Sequence, residues 1–397
     1  MFVKIIASLC FAFISAGIAQ AAPGGDPVVP PTNNQPIGRD AIALRVVPNP
    51  EHYSPLAWYA VNIKVKGAPQ SLIVDGYEAV RDGRTVYVNA AKVARISRCV
   101  DNPAFICSTD RDCGRSSCAP SNDPELYTNI YIISYNQNPE NATTDIFGQI
   151  LQNWKFNADI KNCSNDSNRL CTQDSECRGY CQSTGQCSKT TDKSCLLDND
   201  CPQGETCRNK KSAIIHDVRR LADLRSVKDQ LENYNTLRGT YPALAQGTYL
   251  TNRTISTWPS WQATFNNALG GGLPLDPVNQ LGSCGDDRFS PATCWDESKK
   301  EYAGVNDPLA LPNNSFAFYY QYKPNDNAFR FCAITESGFI QGKAIGTPIC
   351  QVNNCGTCTN RQCGTNGCGQ VCGTCRAGTV CQNFRCVNSV QQNQQDM

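Results

Sequence analysis

The sequence predicts an α+β protein of several parts. A β-rich N-terminal domain comes first, then small disulfide-rich modules, then a domain in which one long helix packs on a small antiparallel sheet. Three observations predict this. A cysteine spacing recurs: Cys99, Cys107, Cys113 and Cys118 have gaps of 7, 5 and 4; Cys163, Cys171, Cys177 and Cys181 have 7, 5 and 3; Cys187, Cys195, Cys201 and Cys207 have 7, 5 and 5. Each copy holds a matching acidic core, CSTDRDC, CTQDSEC or CLLDNDC. Apolar residues alternate on both sides of Asp82-Gly83, which signals a hairpin. From 212 to 238, apolar residues fall three or four apart at Ile214, Val218, Leu221, Leu224, Val227, Leu231 and Tyr234, which marks one face of a helix.

The cysteines also set the compartment. Of 25, Cys10 lies in a leader. The rest fall in even groups: the twelve above, then Cys284, Cys294, Cys332 and Cys350, then Cys355, Cys358, Cys363, Cys368, Cys372, Cys375, Cys381 and Cys386. Even local groups are what locally closed disulfides produce, and such bridges belong to an oxidising environment. Residues 1–21 have the form of a signal peptide, with Lys4, an apolar run and Ala19-Gln20-Ala21 at the cleavage site. No later segment is apolar enough to span a bilayer, so none is expected in the mature chain. With 36 basic and 35 acidic residues, nothing in the charge points to nucleic acid.

Taken in order, residues 22–40 are rich in Pro, Gly and Asn and read as a spacer. The β-rich domain covers 41–160. Strands are expected at IALRVV, at AVNIKVKG (60–67), on either side of a type I′ turn at Asp82-Gly83, and from Leu126. The first cysteine module, 99–118, reads as an insertion between two strands of one sheet. The domain should close with an amphipathic helix over DIFGQILQNWKF that buries Ile146, Ile150 and Leu151. The tandem module, 161–208, has too few apolar side chains for a core and must rely on its bridges, each contributing about 2–4 kcal/mol. In 209–350 the long helix stops at Gly239, and Pro242 forbids continuation. A short helix follows over QATFNNALG, then strands over Phe316–Tyr322 and Phe329–Ile334, with an aromatic face for the helix. Residues 351–388 form a cysteine-rich C-terminal module, and the polar stretch 389–397 is expected to be disordered.

Arg219-Arg220-Leu221-Ala222-Asp223-Leu224, Leu231-Glu232-Asn233-Tyr234, Gly239-Thr240-Tyr241-Pro242 and Leu273-Pro274-Leu275-Asp276-Pro277 together resemble the globular half of type IV pilins and type II secretion major pseudopilins. The resemblance covers about 212–340 and implies a helix ending in a Gly-x-Tyr-Pro turn on an antiparallel sheet. That family's calcium loop corresponds to Glu336-Ser337-Gly338-Phe339, which lacks its aspartates, so no calcium is expected there. Nothing like the family's long apolar helix directly precedes Ile214, so assembly by the family's route is not expected. The tail resembles a cysteine-rich repeat found at the ends of secreted bacterial proteins. The block from Val74 to Gln137 is similar to a region of uncharacterised secreted proteins from small-genome bacteria.

The residues offer little chemistry. Cys355, Cys358, Cys372 and Cys375 have a spacing close to that of a zinc ribbon, but four further cysteines interleave, and disulfides are expected instead of a metal. CGTC as a redox pair lacks the strand–helix setting such motifs need. The acidic cores could offer calcium two carboxylates each; capping of backbone donors is the expectation. His52 and His216 sit in no nucleophile or metal motif, so no catalytic residue, cofactor or metal is assigned. Trp258 and Trp261, flanking Pro259, are the candidates for exposed ligand contacts. The expectation is a secreted or cell-surface non-enzymatic protein that binds a surface protein or glycan, or builds the envelope. The alternatives are an exported hydrolase acting on glycan or peptide, and a pilin-like minor subunit of a secretion or pilus apparatus.

Overall fold

A computed structural model describes residues 40–352 except 96, 121–123, 245–249, 287–290, 293, 304–314, 341–342 and 344; beyond them it describes 364–365, 371–376, 379–382 and 385–388. The leader, most of the spacer, the 389–397 stretch and Cys355, Cys358, Cys363 and Cys368 lie outside the described residues, as do the side chains of Cys372 and Cys381. The fold mixes helix with several antiparallel sheets.

The first sheet has five strands: β1 (Ile42–Pro48), β2 (Gln70–Val74), β3 (Tyr77–Asp82), β4 (Thr85–Ala94) and β5 (Glu125–Tyr135). Their order is β1-β5-β4-β3-β2. Asp82 pairs with Thr85, so the central turn residues are Gly83 and Arg84. Only Gly83 has positive φ, 55°, which is type II′ and not the expected I′. The type I′ turn lies one hairpin earlier, where Asp75 (φ 50°) and Gly76 (φ 84°) join Val74 to Tyr77. The first cysteine module sits between β4 and β5 as its own three-stranded sheet, and β4 and β5 pair directly, Val86 with Ile133.

The expected strand at 60–67 is absent. Pro55–Asn62 is a helix, α1. The Ser54 side chain accepts the Ala57 N–H and Pro55 occupies the first turn, two start signals that outweigh the apolar alternation. Its Trp58 and Tyr59 pack on Tyr87 of β4, centroids 5.8 and 5.5 Å apart. Val86 and Val88 point the other way, where Phe156 meets Tyr131 edge-on at 4.9 Å. Phe147 of α2 (Asn141–Asn153) meets Tyr135 there in the same manner. Helix α2 buries Thr143 and Phe147, and the expected Leu151 packs against the same core, with Ile150 half-buried; Ile146 is instead 51% exposed.

The long helix α3 spans Lys210–Arg238. Asn209 caps its start by accepting the Ser212 N–H, and Gly239 ends it at φ 75°. It runs beside α1 on the Tyr87 face, with the Arg225 guanidinium 4.9 Å above the Tyr53 ring. Its far side meets a second sheet of β6 (Arg253–Ile255), β7 (Tyr319–Lys323), β8 (Ala328–Ile334) and β9 (Pro348–Val352), in that order. Ile214, Val218, Leu221, Leu224, Val227 and Leu231 are buried in one apolar core with Ala91 and Leu126 of the first sheet and Phe318, Tyr320, Phe329 and Phe331 of the second. One helix therefore fills the space between two sheets. On the second sheet's outer face, Tyr319 packs with Ile255, Trp258, Trp295 and Tyr302.

All three repeated modules close in one pattern, first cysteine to third and second to fourth: Cys99–Cys113 and Cys107–Cys118, Cys163–Cys177 and Cys171–Cys181, Cys187–Cys201 and Cys195–Cys207. Cys284–Cys294 clips a loop, Cys332–Cys350 joins β8 to β9, and Cys375–Cys386 closes part of the tail. These bridges imply an oxidising environment. Among the described residues no helix is long and apolar enough to cross a membrane.

Candidate functional site

The polar face at the start of α3 is not solvated as its charge suggests. His216 is 3% exposed, and Asp217 and Arg220 are fully buried. Two distant turns converge on them. Glu336-Ser337-Gly338 follows β8, where Gly338 takes φ 76°, and Asp276 lies between Pro274 and Pro277. Asp217 accepts the Glu336 and Ser337 N–H groups at 3.0 and 2.8 Å, and the Ser337 hydroxyl at 2.7 Å. Arg220 makes a two-point bridge to Asp276, at 2.7 and 2.8 Å, and donates to Asp217 at 3.0 Å and Glu336 at 2.9 Å. Lys210 donates to the Ser337 carbonyl at 3.0 Å, and burial lowers its pKa.

His216 joins this cluster to the third cysteine module. Its Nδ1 lies 2.7 Å from Glu336 Oε2 and its Nε2 2.7 Å from Asp198 Oδ2. Both ring nitrogens face carboxylates, so both carry protons and the ring is an imidazolium. Burial pulls it toward the neutral form, but Glu336 and Asp198 outweigh that and lift its pKa to about 10. Burial raises Glu336 in turn, and His216 and Arg220 overcome this to hold it at about 2.

A cleft of about 180 Å³ adjoins the cluster, between the β2–β3 hairpin, α3 and the third module. Ile73, Tyr77, Leu197, Ile215, Val218 and Pro277 supply apolar walls; Glu78, Asn89, Asn199, Ser212 and Arg219 join Asp198 and His216 as the polar lining. The Ser212 hydroxyl is buried there without a hydrogen-bond partner. At the rim Arg219 lies 3.6 Å from Glu78 and 3.8 Å from Asp223. Burial pushes Asp223 up to about 8; Arg219 opposes this and Glu78 adds to it.

The acidic cores act as caps, in one geometry three times. Asp110, Asp174 and Asp198 each use Oδ1 to accept the N–H of their module's last cysteine, Cys118, Cys181 and Cys207, at 2.6, 2.7 and 2.8 Å. Asp112, Glu176 and Asp200 accept N–H groups just after the second cysteine, from Ser108, Thr172 and Leu196. Among the described residues, only the third copy is docked on a helix through its first acid.

The two tryptophans do not form an exposed platform. Trp258 is 5% exposed and packs on Trp295 at 5.1 Å; Trp261 is 0% exposed, donates to the Pro274 carbonyl and stacks on Phe318 and Phe331. The second aromatic sheet needs rings on both faces, and these two supply them. Cys375 is bridged to Cys386, which removes it from the four-cysteine zinc set. His52 hydrogen-bonds Thr128 Oγ1 and lies apart from the cluster. Arg220, Asp276 and Glu336 stand in the sequence as parts of the pilin-like motifs, and no spacing joins them or Asp217 into a site. The local signal is the Asp217-x-x-Arg220 step, one helical turn apart, on the stretch that carries Ile214, Val218 and Leu221. Comparison with models of protein families, with curated proteins and with solved structures returns no match.

Proposed function

We propose that this is a secreted or cell-surface protein with a non-catalytic role in binding or envelope architecture, built on disulfide-closed modules. The observation that carries the reading is the pairing of His216 with both Asp198 and Glu336. The cluster's only histidine is held doubly bonded and charged, a poor state for a general base. The same pairing fixes a module of little apolar content to the main core, as a rigid extracellular scaffold requires. The test is to incubate the oxidised protein with cell-wall glycan fragments and with casein, and to measure binding and turnover together. Retention on the wall fraction without turnover supports the reading. Turnover lost in a point variant overturns it.

A second reading, an exported hydrolase, draws support from the rim of the cleft, where Glu78, Arg219 and Asp223 meet and burial lifts the pKa of Asp223 to about 8. It requires that E78Q or D223N abolish a measurable hydrolysis. The pilin-like plan of 212–340 is supported by a helix, a Gly-x-Tyr-Pro turn and an antiparallel sheet in that order. Docking of a filament subunit through the apolar face of α3 is disfavoured, because that face is buried.

A further inference from the structure

We infer that the acidic corners of the first and second cysteine modules, at Asp110 and Asp174, are docking points for a basic side chain on the helical surface of a partner protein. This deepens the binding role proposed above and rests on it. The third copy shows what the corner does when occupied. There Asp198 directs Oδ1 to the Cys207 N–H and offers Oδ2 to His216 on α3, while Leu197 lies against the helix at Ile215 and the hairpin at Gly76.

The first two corners are built alike. Their bridges connect the same positions, and their leading acids make the same Oδ1 contact. The residues just before those acids share one extended backbone, Thr109 at φ −142°, ψ 163°, Gln173 at −147°, 158° and Leu197 at −135°, 165°. The internal contact holds each carboxylate by Oδ1 and leaves its second oxygen outside that bond. Asp110 and Asp174 are exposed, and among the described residues no side chain pairs with their Oδ2 atoms, whereas Asp198 is half-buried against its histidine. A carboxylate fixed by a backbone donor loses little freedom when it binds a cation, which makes a preorganised contact. The neighbours Thr109 and Gln173 are polar where Leu197 is apolar, so these corners suit a partner that remains accessible to water.

The test uses the oxidised full chain, labelled for amide NMR, and a lactam-bridged helical peptide with the sequence Asn209–Leu224 as probe. The titration is run at about pH 5.5, below the ordinary histidine pKa of about 6.5, so that the peptide's histidine is charged as His216 is. The expected result is movement of the Cys118 and Cys181 amide signals on titration. In D110N and D174N, whose Asn oxygen still accepts the cysteine N–H, affinity at the changed corner should fall about tenfold, the scale of one charge-assisted contact. The His216→Ala peptide should show the same loss. Absence of shifts at millimolar peptide, shifts that survive both Asn variants, or displacement of the peptide by calcium chloride alone each overturn the proposal. These outcomes bear on the corners only, since the non-catalytic reading is overturned separately, by turnover.

Discussion

Asp198 joins two structures with one carboxylate: Oδ1 accepts the Cys207 N–H at 2.8 Å inside the module, and Oδ2 meets His216 Nε2 at 2.7 Å on the helix. The module's closure and its attachment to the core are thereby coupled. Removing His216 leaves Glu336 and Asp198 without their common counter-charge. H216A should lower unfolding free energy by about 3–5 kcal/mol, the range for breaking a buried pair. Urea unfolding checks this, and a loss under about 1 kcal/mol, typical of a surface pair, contradicts it.

The same pair sets the pH range of stability. His216 has its pKa raised from 6.5 to about 10, so its contribution is complete below 6.5 and is lost as pH rises through about 10. Glu336 is depressed from 4.5 to about 2, so its contribution is complete above 4.5 and is lost as pH falls through about 2. With respect to this pair, melting temperature should therefore be flattest between about pH 4.5 and 6.5, with declines on either side. H216Q should remove the alkaline decline; a wild-type decline that persists unchanged in H216Q would have another origin.

The bridges make a prediction about chemistry and one about coupling. Non-reducing peptide mapping should return first-to-third and second-to-fourth pairs in all three modules. C195S/C207S should cost about 2–4 kcal/mol by the loss of one bridge. It should also shift the His216 ring signals, because Asp198 is anchored on the Cys207 amide. C107S/C118S should leave those ring signals in place.

Trp261 is enclosed by Phe265, Phe318 and Phe331. W261A should destabilise by about 3–5 kcal/mol, as large-to-small changes of buried aromatics do. Titrating oligosaccharides should leave Trp258 and Trp261 fluorescence unquenched. Quenching by a sugar at either position would contradict their burial.

Gly76 bears two demands, a φ of 84° and a neighbour, Ile215 Cδ1, 2.8 Å from where a Cβ would stand. G76A should cost about 1–3 kcal/mol, the scale of a strained residue. Gly83 has a similar φ but open space around it, so G83A should cost less. Comparing their denaturation midpoints separates strain from crowding.

Much of this fold is legible in local sequence. The helix 210–238 follows from its apolar spacing and from Gly239, and the modules follow from their cysteine gaps, because both patterns act over short range. The segment at 60–67 misled because alternating Val61, Ile63 and Val65 imitate a strand, while Ser54 and Pro55 had already started a helix. The Asp75-Gly76 turn was as readable as Asp82-Gly83, and its positive φ values fit the same rule. The charged cluster was not readable in this way. Asp198, Arg220, Asp276 and Glu336 are distant in sequence, and only the folded chain brings them together.

The helix between two sheets has a consequence for how the chain comes into being. The five-stranded sheet is fully translated at Tyr135, well before Lys210 begins the helix that covers one of its faces. Until then Ala91 and Leu126 have no lid, and the nascent sheet presents an apolar surface of the kind that aggregates during folding. A truncated protein ending before α3 would keep that surface permanently. The two halves are therefore a poor choice for separate expression, and the smallest self-sufficient unit has to include both sheets and the helix they share.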